Sequence, residues 1–227
     1  MTRLDKYLAD AGLGTRSEVK NMIRGGRVTV DGIPAKKPEE KVGEGQTVLV
    51  DGRPARPLGP QVLMLHKPMG YVTSTSDPRD RTVMELLPKE YQKLFPVGRL
   101  DKDTEGLLLF TDDGDLSHRL TSPKHQVEKE YYAETDGEID EADVEAFRQG
   151  ITLRDGTECL PAELRPCDGG CLVTVRQGKY HQVRRMLASR GKPVTYLRRI
   201  REGNLTLEGL EKGQWRLLCP AEIDNIL

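Results

Sequence analysis

The stretch GRLDKDTEGLLLF, residues 98–110, places three carboxylates immediately before a run of apolar residues. Asp101, Asp103 and Glu105 fall within five positions, and LLLFT at 107–111 predicts a buried strand that begins just after them. Acids in a turn before a strand are common on solvated surfaces, and they also occur where a reaction needs a carboxylate. Composition and spacing alone leave both interpretations open for this stretch.

A sugar-cleaving acid pair or a metal site would also use clustered carboxylates, but the rest of the sequence gives either one little support. A glycosidase acid pair needs a sugar cleft, normally lined by aromatic residues, but aromatic residues make up only 5% of the chain. A divalent cation site in DKDTE or DDGD lacks the ligand spacing of an EF-hand. The four cysteines include no CxxC pair and have no histidine at zinc-ligand spacing, so we expect reduced thiols and no metal site.

Length and net charge favour a chain with one good core and a smaller companion domain. The 227 residues carry 35 Lys and Arg against 36 Asp and Glu, so the formal net charge is -1. The first residues, MTRLDKYLADAG, lack the apolar core of a signal peptide, and no window is apolar for long enough to cross a membrane. These features predict a soluble cytoplasmic protein with no membrane partner.

A change in composition divides the chain into two predicted domains. DGRPARPLGP (51–60) contains three prolines and two glycines and offers little to bury, which predicts a linker. Residues 1–60 contain two short amphipathic helices, the second opened by the capping-box pattern TRSE (15–18), and short strands. Residues 61–227 interleave strands and helices irregularly, without the alternation of a doubly wound sheet, and so predict an α+β fold.

Local charge is less balanced than the total. Residues 1–60 carry 11 basic and 8 acidic residues, an excess of +3 that by itself fits an ordinary solvated surface. Residues 169–201 carry nine Lys and Arg and no acid, which favours a face for an anionic polymer. The nine are Arg176, Lys179, Arg184, Arg185, Arg190, Lys192, Arg198, Arg199 and Arg201.

The first domain resembles the S4 RNA-binding module. The likeness covers residues 1–52, MTRLDKYLADAGLGTRSEVKNMIRGGRVTVDGIPAKKPEEKVGEGQTVLVDG. It implies that the second helix and the turn after it bind RNA, with Arg16, Lys20, Arg24 and Arg27 on the phosphate backbone. Because this module occurs in several unrelated RNA-acting proteins, it indicates a ligand class and no particular activity.

The second domain resembles the pseudouridine synthases of the RsuA group. The likeness rests on HKPMGYVTST (66–75), VGRLDKDTEGLLLFTDDGDLSHRLTSPKHQVEKEYY (97–132) and GKYHQVRRML (178–187), in this order, and GRLDxxTxGLLL is its most specific part. It implies an S4 module linked to a domain built on a large mixed, mainly antiparallel sheet with flanking helices. The implied activity is an intramolecular isomerisation of uridine in RNA, which needs neither cofactor nor metal.

Carried over residue by residue, the resemblance assigns the catalytic roles to Asp101, Tyr131 and Arg184. Asp101 matches the catalytic aspartate, Tyr131 the active-site tyrosine, and Arg184 the basic residue that pairs with the aspartate. Tyr132 stays an alternative to Tyr131, and Arg185 is equally free to face the cleft by helical periodicity.

The remaining site predictions concern RNA contacts and bystanders. Asp103 and Glu105 are expected to be loop residues without a catalytic role. The four histidines are expected to be structural or in contact with RNA. Two departures from the pattern are His66, where Asn often precedes Lys-Pro, and Glu202, where an apolar residue is usual. RNA-binding residues expected beside the catalytic set are Arg16, Lys20, Arg24, Arg27, Lys67, Arg99, Lys179 and Arg185.

The expected substrate is a single uridine of 16S rRNA, the pseudouridine-516 class. SHRLTSPKH (117–125) and a C-terminus without a basic tail resemble the small-subunit enzymes more than the 23S members of the group. Two alternatives stay open: a 23S rRNA pseudouridine synthase, and a non-catalytic rRNA-binding assembly factor. The expected partner is rRNA, free or within an assembling small subunit, and the expected state is a monomer.

Overall fold

A computed structural model describes residues 1–43, 45–55 and 61–226 of the chain. The chain divides into two compact units, Met1–Pro60 and Gln61–Leu227. The elements of the first unit are β1 (Thr2–Arg3), α1 (Leu4–Asp10), α2 (Arg16–Arg24), β2 (Val28–Val30), β3 (Ile33–Pro34), β4 (Lys41–Val42), β5 (Val48–Val50) and β6 (Arg53–Pro54).

The first unit is a helix pair packed on a small sheet in the order β3-β2-β5-β6, with a separate β1-β4 pair. The apolar stripes predicted for the two helices are buried, and Leu4, Leu8, Val19 and Ile23 share one core with the strands. Thr15 caps α2 and forms the predicted capping box with Glu18, which satisfies backbone donors at the helix start. The predicted helices are therefore confirmed.

The predicted linker begins too early. Residues 51–55 are part of the first unit, because β6 pairs with β5 through Val50 and Arg53, and Ala55 is buried in the core. Proline is tolerated here because β6 is the edge strand. The rest of the predicted linker, 56–60, lies outside the described residues.

The second unit is built on a nine-stranded sheet with flanking helices. Short 3-10 turns lie at Val83–Leu86, Lys89–Tyr91 and Pro123–His125. Its helices are α3 (Gly114–Thr121), α4 (Glu141–Gln149), α5 (Gln182–Ser189) and α6 (Pro220–Asp224). Its strands, including a separate β11-β12 pair, are β7 (Val62–Lys67), β8 (Phe95–Val97), β9 (Glu105–Thr111), β10 (Lys129–Thr135), β11 (Ile151–Thr152), β12 (Glu158–Cys159), β13 (Glu163–Cys167), β14 (Gly170–Val175), β15 (Val194–Glu202), β16 (Leu205–Thr206) and β17 (Trp215–Leu217).

The large sheet has the order β13-β14-β10-β15-β9-β7-β17, with β16 beside β15 and β8 beside β9. Among the described strands, β9 and β15 form the one parallel pair, and the other pairs are antiparallel. The expected α+β fold with a mixed, mainly antiparallel sheet is therefore confirmed.

Both faces of the central strands are covered, which explains the continuous apolar run of LLLFT. Leu107 and Leu109 enter one core with β7 and α3, while Leu108 and Phe110 enter a second core on the opposite face. Gly106, at the start of this run, has φ +118°, and a Cβ at this position would collide with the backbone of Arg199. The glycine thus allows β9 to approach β15 closely, directly after the loop that carries Asp101.

Candidate active site

A cavity of about 560 Å³ lies in the second unit between the loop before β9 and the start of α5. Its walls bring together segments that are far apart in sequence: the 98–104 loop, β10, the turn between β14 and α5, and β15. Asp101, Tyr131, Arg184 and His181 all line it. Its volume falls within the range of small-molecule sites and is large enough to admit a nucleoside.

The loop that carries Asp101 is fixed by the segment that follows β7. The hydroxyl of Thr73 donates to the carbonyl of Leu100 at 2.6 Å and accepts from its amide at 3.1 Å. The Nζ of Lys67 donates to the carbonyls of Asp101 at 2.9 Å and Thr104 at 2.8 Å. These bonds use backbone atoms and leave the Asp101 side chain, which is 31% exposed, free of them at the cavity wall.

Lys67 was predicted to contact RNA phosphate, and that prediction is wrong. The side chain is fully buried, and its ammonium group is held by the carbonyls of Pro68, Asp101 and Thr104. Burial lowers the pKa of Lys67 from its ordinary 10.5 to about 8, although the nearby Asp101 carboxylate opposes this change. Lys67 thus holds the loop through its backbone carbonyls, and its buried side chain is not available to RNA.

Arg184 lines the cavity, but it does not pair with Asp101 as expected. Its guanidinium forms an ion pair with the Asp103 carboxylate at 3.1 Å and donates to the Asp103 carbonyl at 3.0 Å. The reason is the loop, which carries the Asp103 backbone and Thr104 hydroxyl toward α5. Arg184 therefore links α5 to the loop through its contacts with Asp103.

The side chain that contacts the Asp101 carboxylate is that of His181, which the sequence did not predict for this role. The Nε2 of His181 lies 3.3 Å from Oδ1 of Asp101, and the two groups form an ion pair when the imidazole is protonated. His181 has φ 48° and ψ 35°, in the left-handed region, at the start of α5. The signal was present in GKYHQVRRML, where the histidine directly precedes the helix, but no spacing rule links it to Asp101.

Tyr131 and its neighbour Tyr132 lie on opposite faces of β10, because side chains alternate along a strand. Tyr131 is half-buried and lines the cavity, whereas the Tyr132 hydroxyl donates to the carbonyl of Gly169 at 3.1 Å. Burial raises the pKa of the Tyr131 phenol, and the nearby Arg199 guanidinium only partly offsets this. The phenol is therefore a neutral hydroxyl at physiological pH.

A buried cluster of charges lies behind Tyr131. Glu202 is fully buried, with its carboxylate 3.5 Å from Nζ of Lys129 and 3.3 Å from a guanidinium nitrogen of Arg199. Arg199 also donates to the carbonyl of Leu107 at 2.7 Å. Burial lowers the pKa of Lys129. The unusual acid at position 202 thus faces two buried cations, both of which belong to residues that line the cavity.

The predicted RNA-binding arginines and lysines differ in how far their charges are already paired. In the first unit Arg27 pairs with Asp51 at 2.5 Å and Lys20 lies 4.0 Å from an Asp5 oxygen, while Arg16 and Arg24 are exposed on α2. In the second unit Arg99 and Lys179 are exposed at the cavity, and Arg185 pairs with Asp155. Lys179 donates to the carbonyl of Glu158.

The basic stretch 169–201 is largely matched by acids that lie outside the stretch. Seven of its nine basic residues form ion pairs, so much of the charge excess seen in the sequence is internal to the fold: Arg176, Arg184, Arg185, Arg190, Lys192, Arg199 and Arg201. Among the described residues, no group of three or more His, Cys, Asp or Glu side chains can hold a metal ion. No helix within the same residues is long and apolar enough to span a bilayer.

A carboxylate, a neutral phenol and several basic groups line one cavity, an arrangement that can bind an anionic ligand and act on it by nucleophilic attack or proton transfer. Comparison with known proteins identifies the family. The family model for RNA pseudouridylate synthase matches residues 61–189, and that for the S4 domain matches residues 2–48.

Relatives extend over the whole chain. Ribosomal small subunit pseudouridine synthase A of Vibrio parahaemolyticus is 44% identical over 99% of this chain and 99% of its own, and that of Escherichia coli K12 is 40% identical over 99% and 100%. An uncharacterized RNA pseudouridine synthase of Bacillus subtilis, YtzG, is 41% identical over 97% and 96%. A crystal structure of a pseudouridylate synthase superposes with a TM-score of 0.71, at 35% identity and 100% coverage of both chains.

The chain therefore belongs to the RNA pseudouridylate synthase family, in the RsuA group, and the expected family is confirmed. It is an RNA pseudouridine synthase, an isomerase, with an S4 domain at its N-terminus. The alternative of a non-catalytic assembly factor is set aside by this membership.

Proposed function

We propose that this enzyme converts one specific uridine of rRNA to pseudouridine, with a 16S site of the pseudouridine-516 class as the favoured target. Residues 1–60 bind and place the RNA, and residues 61–227 carry out the isomerisation. Two relatives that match almost the full chain bear the name ribosomal small subunit pseudouridine synthase A, which supports the 16S choice over 23S rRNA. The substrate is free rRNA or rRNA in an assembling small subunit.

The reaction balances within a single nucleotide. The N1–C1′ bond breaks, the uracil turns, and a C5–C1′ bond forms, while the proton at C5 leaves and N1 gains a proton. No electrons or groups enter or leave, so the residues must supply only a nucleophile or base, a proton path and a fixed position for the base. The target uridine has to leave its stack before it can enter the cavity, which costs a few kcal/mol.

Asp101 is the proposed nucleophile or base, acting at the sugar C1′, at C6 of the uracil, or by removing the C2′ proton. The observation that carries this assignment is the position of Asp101, which lines the cavity with a partly exposed side chain while its backbone carbonyl is held by Lys67. Tyr131 offers a ring face to the base and a neutral hydroxyl for proton transfer. Arg184 contributes by fixing the loop through Asp103.

Asp101→Asn tests the enzyme assignment. Asparagine keeps the shape of the side chain but lacks the anionic oxygen, so we expect no detectable turnover, with RNA affinity and fold retained. The assay uses 16S and 23S transcripts tritiated at C5 of uracil, because each isomerisation releases that hydrogen to water. The matched control is Asp103→Asn, which should keep most activity because Arg184 still reaches the carbonyl of residue 103. Turnover by Asp101→Asn with an inactive Asp103→Asn would show that the wrong carboxylate was chosen.

The target is tested by mapping pseudouridines in both rRNAs from a strain that lacks the gene. We expect one 16S position to lose its modification, with every 23S position unchanged. Loss of a 23S position with 16S rRNA intact would overturn the 16S assignment, while the enzyme class would stand.

A further inference from the structure

Tyr180 is an exposed aromatic residue at the cavity. Its side chain is 75% exposed, and it is the one aromatic residue among the strongly exposed large hydrophobic residues that the described part of the chain contains. It also lines the cavity that contains Asp101. An exposed aromatic ring at the wall of a cavity for a nucleic-acid substrate offers a flat face on which a nucleobase can stack.

One face of the Tyr180 ring is already supported. The imidazole of His181 stacks on it, with the ring centroids 3.9 Å apart and the planes 16° from parallel. The same imidazole lies 3.3 Å from the Asp101 carboxylate. Asp101, His181 and Tyr180 therefore form a continuous series of contacts that runs from the candidate nucleophile to solvent, with the outer face of Tyr180 at its end.

The backbone holds this series in place. His181 directly precedes α5 and adopts the left-handed conformation, with φ 48°, which only a few per cent of non-glycine residues adopt. The carbonyl of Tyr180 accepts a hydrogen bond from Arg185, and the amide of Lys179 donates to the Gln182 side chain. The two rings are thus presented by a constrained turn, and a platform of this kind loses little entropy on binding.

We propose that Tyr180 is a stacking platform for a nucleobase adjacent to the target uridine, and that His181 is a positioning residue that holds this platform and Asp101 in register. The proposal rests on the proposed function of the cavity. Base-on-aromatic stacking tolerates any sequence, because every base has a flat face. Lys179, next in the chain and exposed at the same cavity, supplies positive charge for the phosphate of that nucleotide.

The occupant is a neighbouring base and not the reacting one, for a geometric reason. The reacting nucleoside must approach Asp101 to within about 3–3.5 Å, as a near-attack geometry requires. A base on the outer face of Tyr180 has the Tyr180 ring between it and the imidazole that meets Asp101. Both sites can therefore be filled at once by consecutive nucleotides of one strand.

The platform is tested with Tyr180→Leu and Tyr180→Phe in the full chain. The probe is a short oligouridylate with one 2-aminopurine, whose fluorescence falls when its ring stacks on an aromatic side chain. We expect Tyr180→Leu to lose the quenching and to weaken binding about tenfold, while Tyr180→Phe behaves like the parent enzyme. A matched control is Leu160→Ala, which changes an exposed hydrophobic residue that does not line the cavity. Equal affinity and quenching for Tyr180→Leu and the parent would overturn the platform.

The positioning role of His181 is tested by separating kcat from KM in the tritium-release assay. His181→Phe keeps a ring under Tyr180 but loses the contact with Asp101, so we expect kcat to fall at least tenfold with KM unchanged. His181→Ala loses both contacts and should also raise KM. An unchanged kcat for His181→Phe would overturn the positioning role.

These outcomes are separable from those of the proposed function, because binding of the probe requires no turnover. If the parent enzyme modified neither rRNA, the proposed function would fail. The difference between Tyr180→Leu and Tyr180→Phe in probe binding would still decide the platform.

Discussion

Replacing Lys67 by methionine should separate the support of the active-site loop from the stability of the fold. Methionine fills the volume of the lysine stem without charge. The carbonyls of Pro68 and Thr104 lose the Lys67 donor, and the carbonyl of Asp101 keeps only the bond from the Thr104 amide. A buried acceptor that loses its partner costs about 1–3 kcal/mol. Removal of the buried ammonium acts in the opposite direction, since the gap between a pKa of 10.5 and one of about 8 corresponds to about 3 kcal/mol. Near neutral pH the two effects therefore act in opposite directions on the free energy of unfolding.

The pH dependence of the free energy of unfolding isolates the contribution of the Lys67 charge. Between about pH 8 and pH 10.5 the unfolded chain holds a proton on Lys67 that the folded chain has lost. The free energy of unfolding therefore rises with pH across this window, and Lys67→Met removes the rise. From about pH 7.5 to about pH 9.5 the parent should gain about 2 kcal/mol relative to the variant. Urea titrations at both pH values measure the difference.

Activity should respond much more than stability. Without Lys67 the loop loses the donor that links the carbonyls of Asp101 and Thr104 to β7, so Asp101 can shift. A displacement of about 1 Å at a reacting group lowers a rate by about 100-fold. We expect kcat of Lys67→Met to fall by that order in the tritium-release assay, with KM close to that of the parent because Lys67 does not reach the RNA. Lys89→Met, at an exposed lysine, is the control and should change neither quantity. A parallel pH dependence in the parent and in Lys67→Met, or a kcat within about threefold of the parent, would refute the reasoning.

Three further perturbations test other parts of the molecule. Glu202→Gln should lower the free energy of unfolding in urea by about 3–5 kcal/mol, because two buried cations lose their counter-charge, and a second change, Lys129→Met, should restore much of it. Tyr131→Phe should lower kcat for tritium release and leave RNA affinity unchanged. Burial raises the pKa of the Tyr131 phenol above its ordinary value of 10, so the parent enzyme should lose no activity near pH 10 through ionisation of this group. Combined replacement of Arg16 and Arg24 by Gln should reduce the slope of log affinity against log salt by about one per arginine. Arg27→Gln should reduce it less, because Arg27 is already paired with Asp51.

Local patterns predicted much of the fold because they report local physics. The stripe of Leu4, Leu8, Val19 and Ile23 fixes the helices of the first unit, and the TRSE pattern fixes where the second helix begins. The run LLLFT predicts a buried strand. The start of the linker was wrong because a proline-rich stretch such as Arg53–Pro54 is also compatible with an edge strand, and pairing with a distant strand decides between the two.

The site was harder to predict, because its contacts join residues that are distant in sequence. Arg184 and Asp103 lie 81 positions apart, and Lys67 and Asp101 lie 34 apart. A lysine beside a Lys-Pro turn has the same local pattern whether it is exposed to RNA or buried under a loop. His181 lies 80 positions from Asp101 and meets it from a left-handed turn before α5, a conformation that the local sequence pattern does not specify.

The three carboxylates of GRLDKDTEGLLLF are separated by what each one meets in the fold. Asp103 forms an ion pair with Arg184. Glu105 is buried at the start of β9, where its carboxylate accepts a hydrogen bond from the Tyr196 hydroxyl at 2.6 Å and pairs with Lys212 at 2.8 Å. Burial alone would raise the pKa of Glu105, but these partners outweigh it and lower the pKa, so this acid stays ionised and engaged.

Asp101 differs because the loop is held by its backbone. Lys67 donates to the carbonyls of Asp101 and Thr104. The Thr73 hydroxyl bonds to the amide and the carbonyl of Leu100. Gly106 allows the following strand, β9, to pack closely against β15. The geometry of the loop is thus maintained by main-chain atoms and buried side chains. Of the three carboxylates, that of Asp101 alone belongs to a residue that lines the cavity, where its neighbour is the His181 imidazole. This separation of roles is the physical reason for proposing that Asp101 carries out the chemistry.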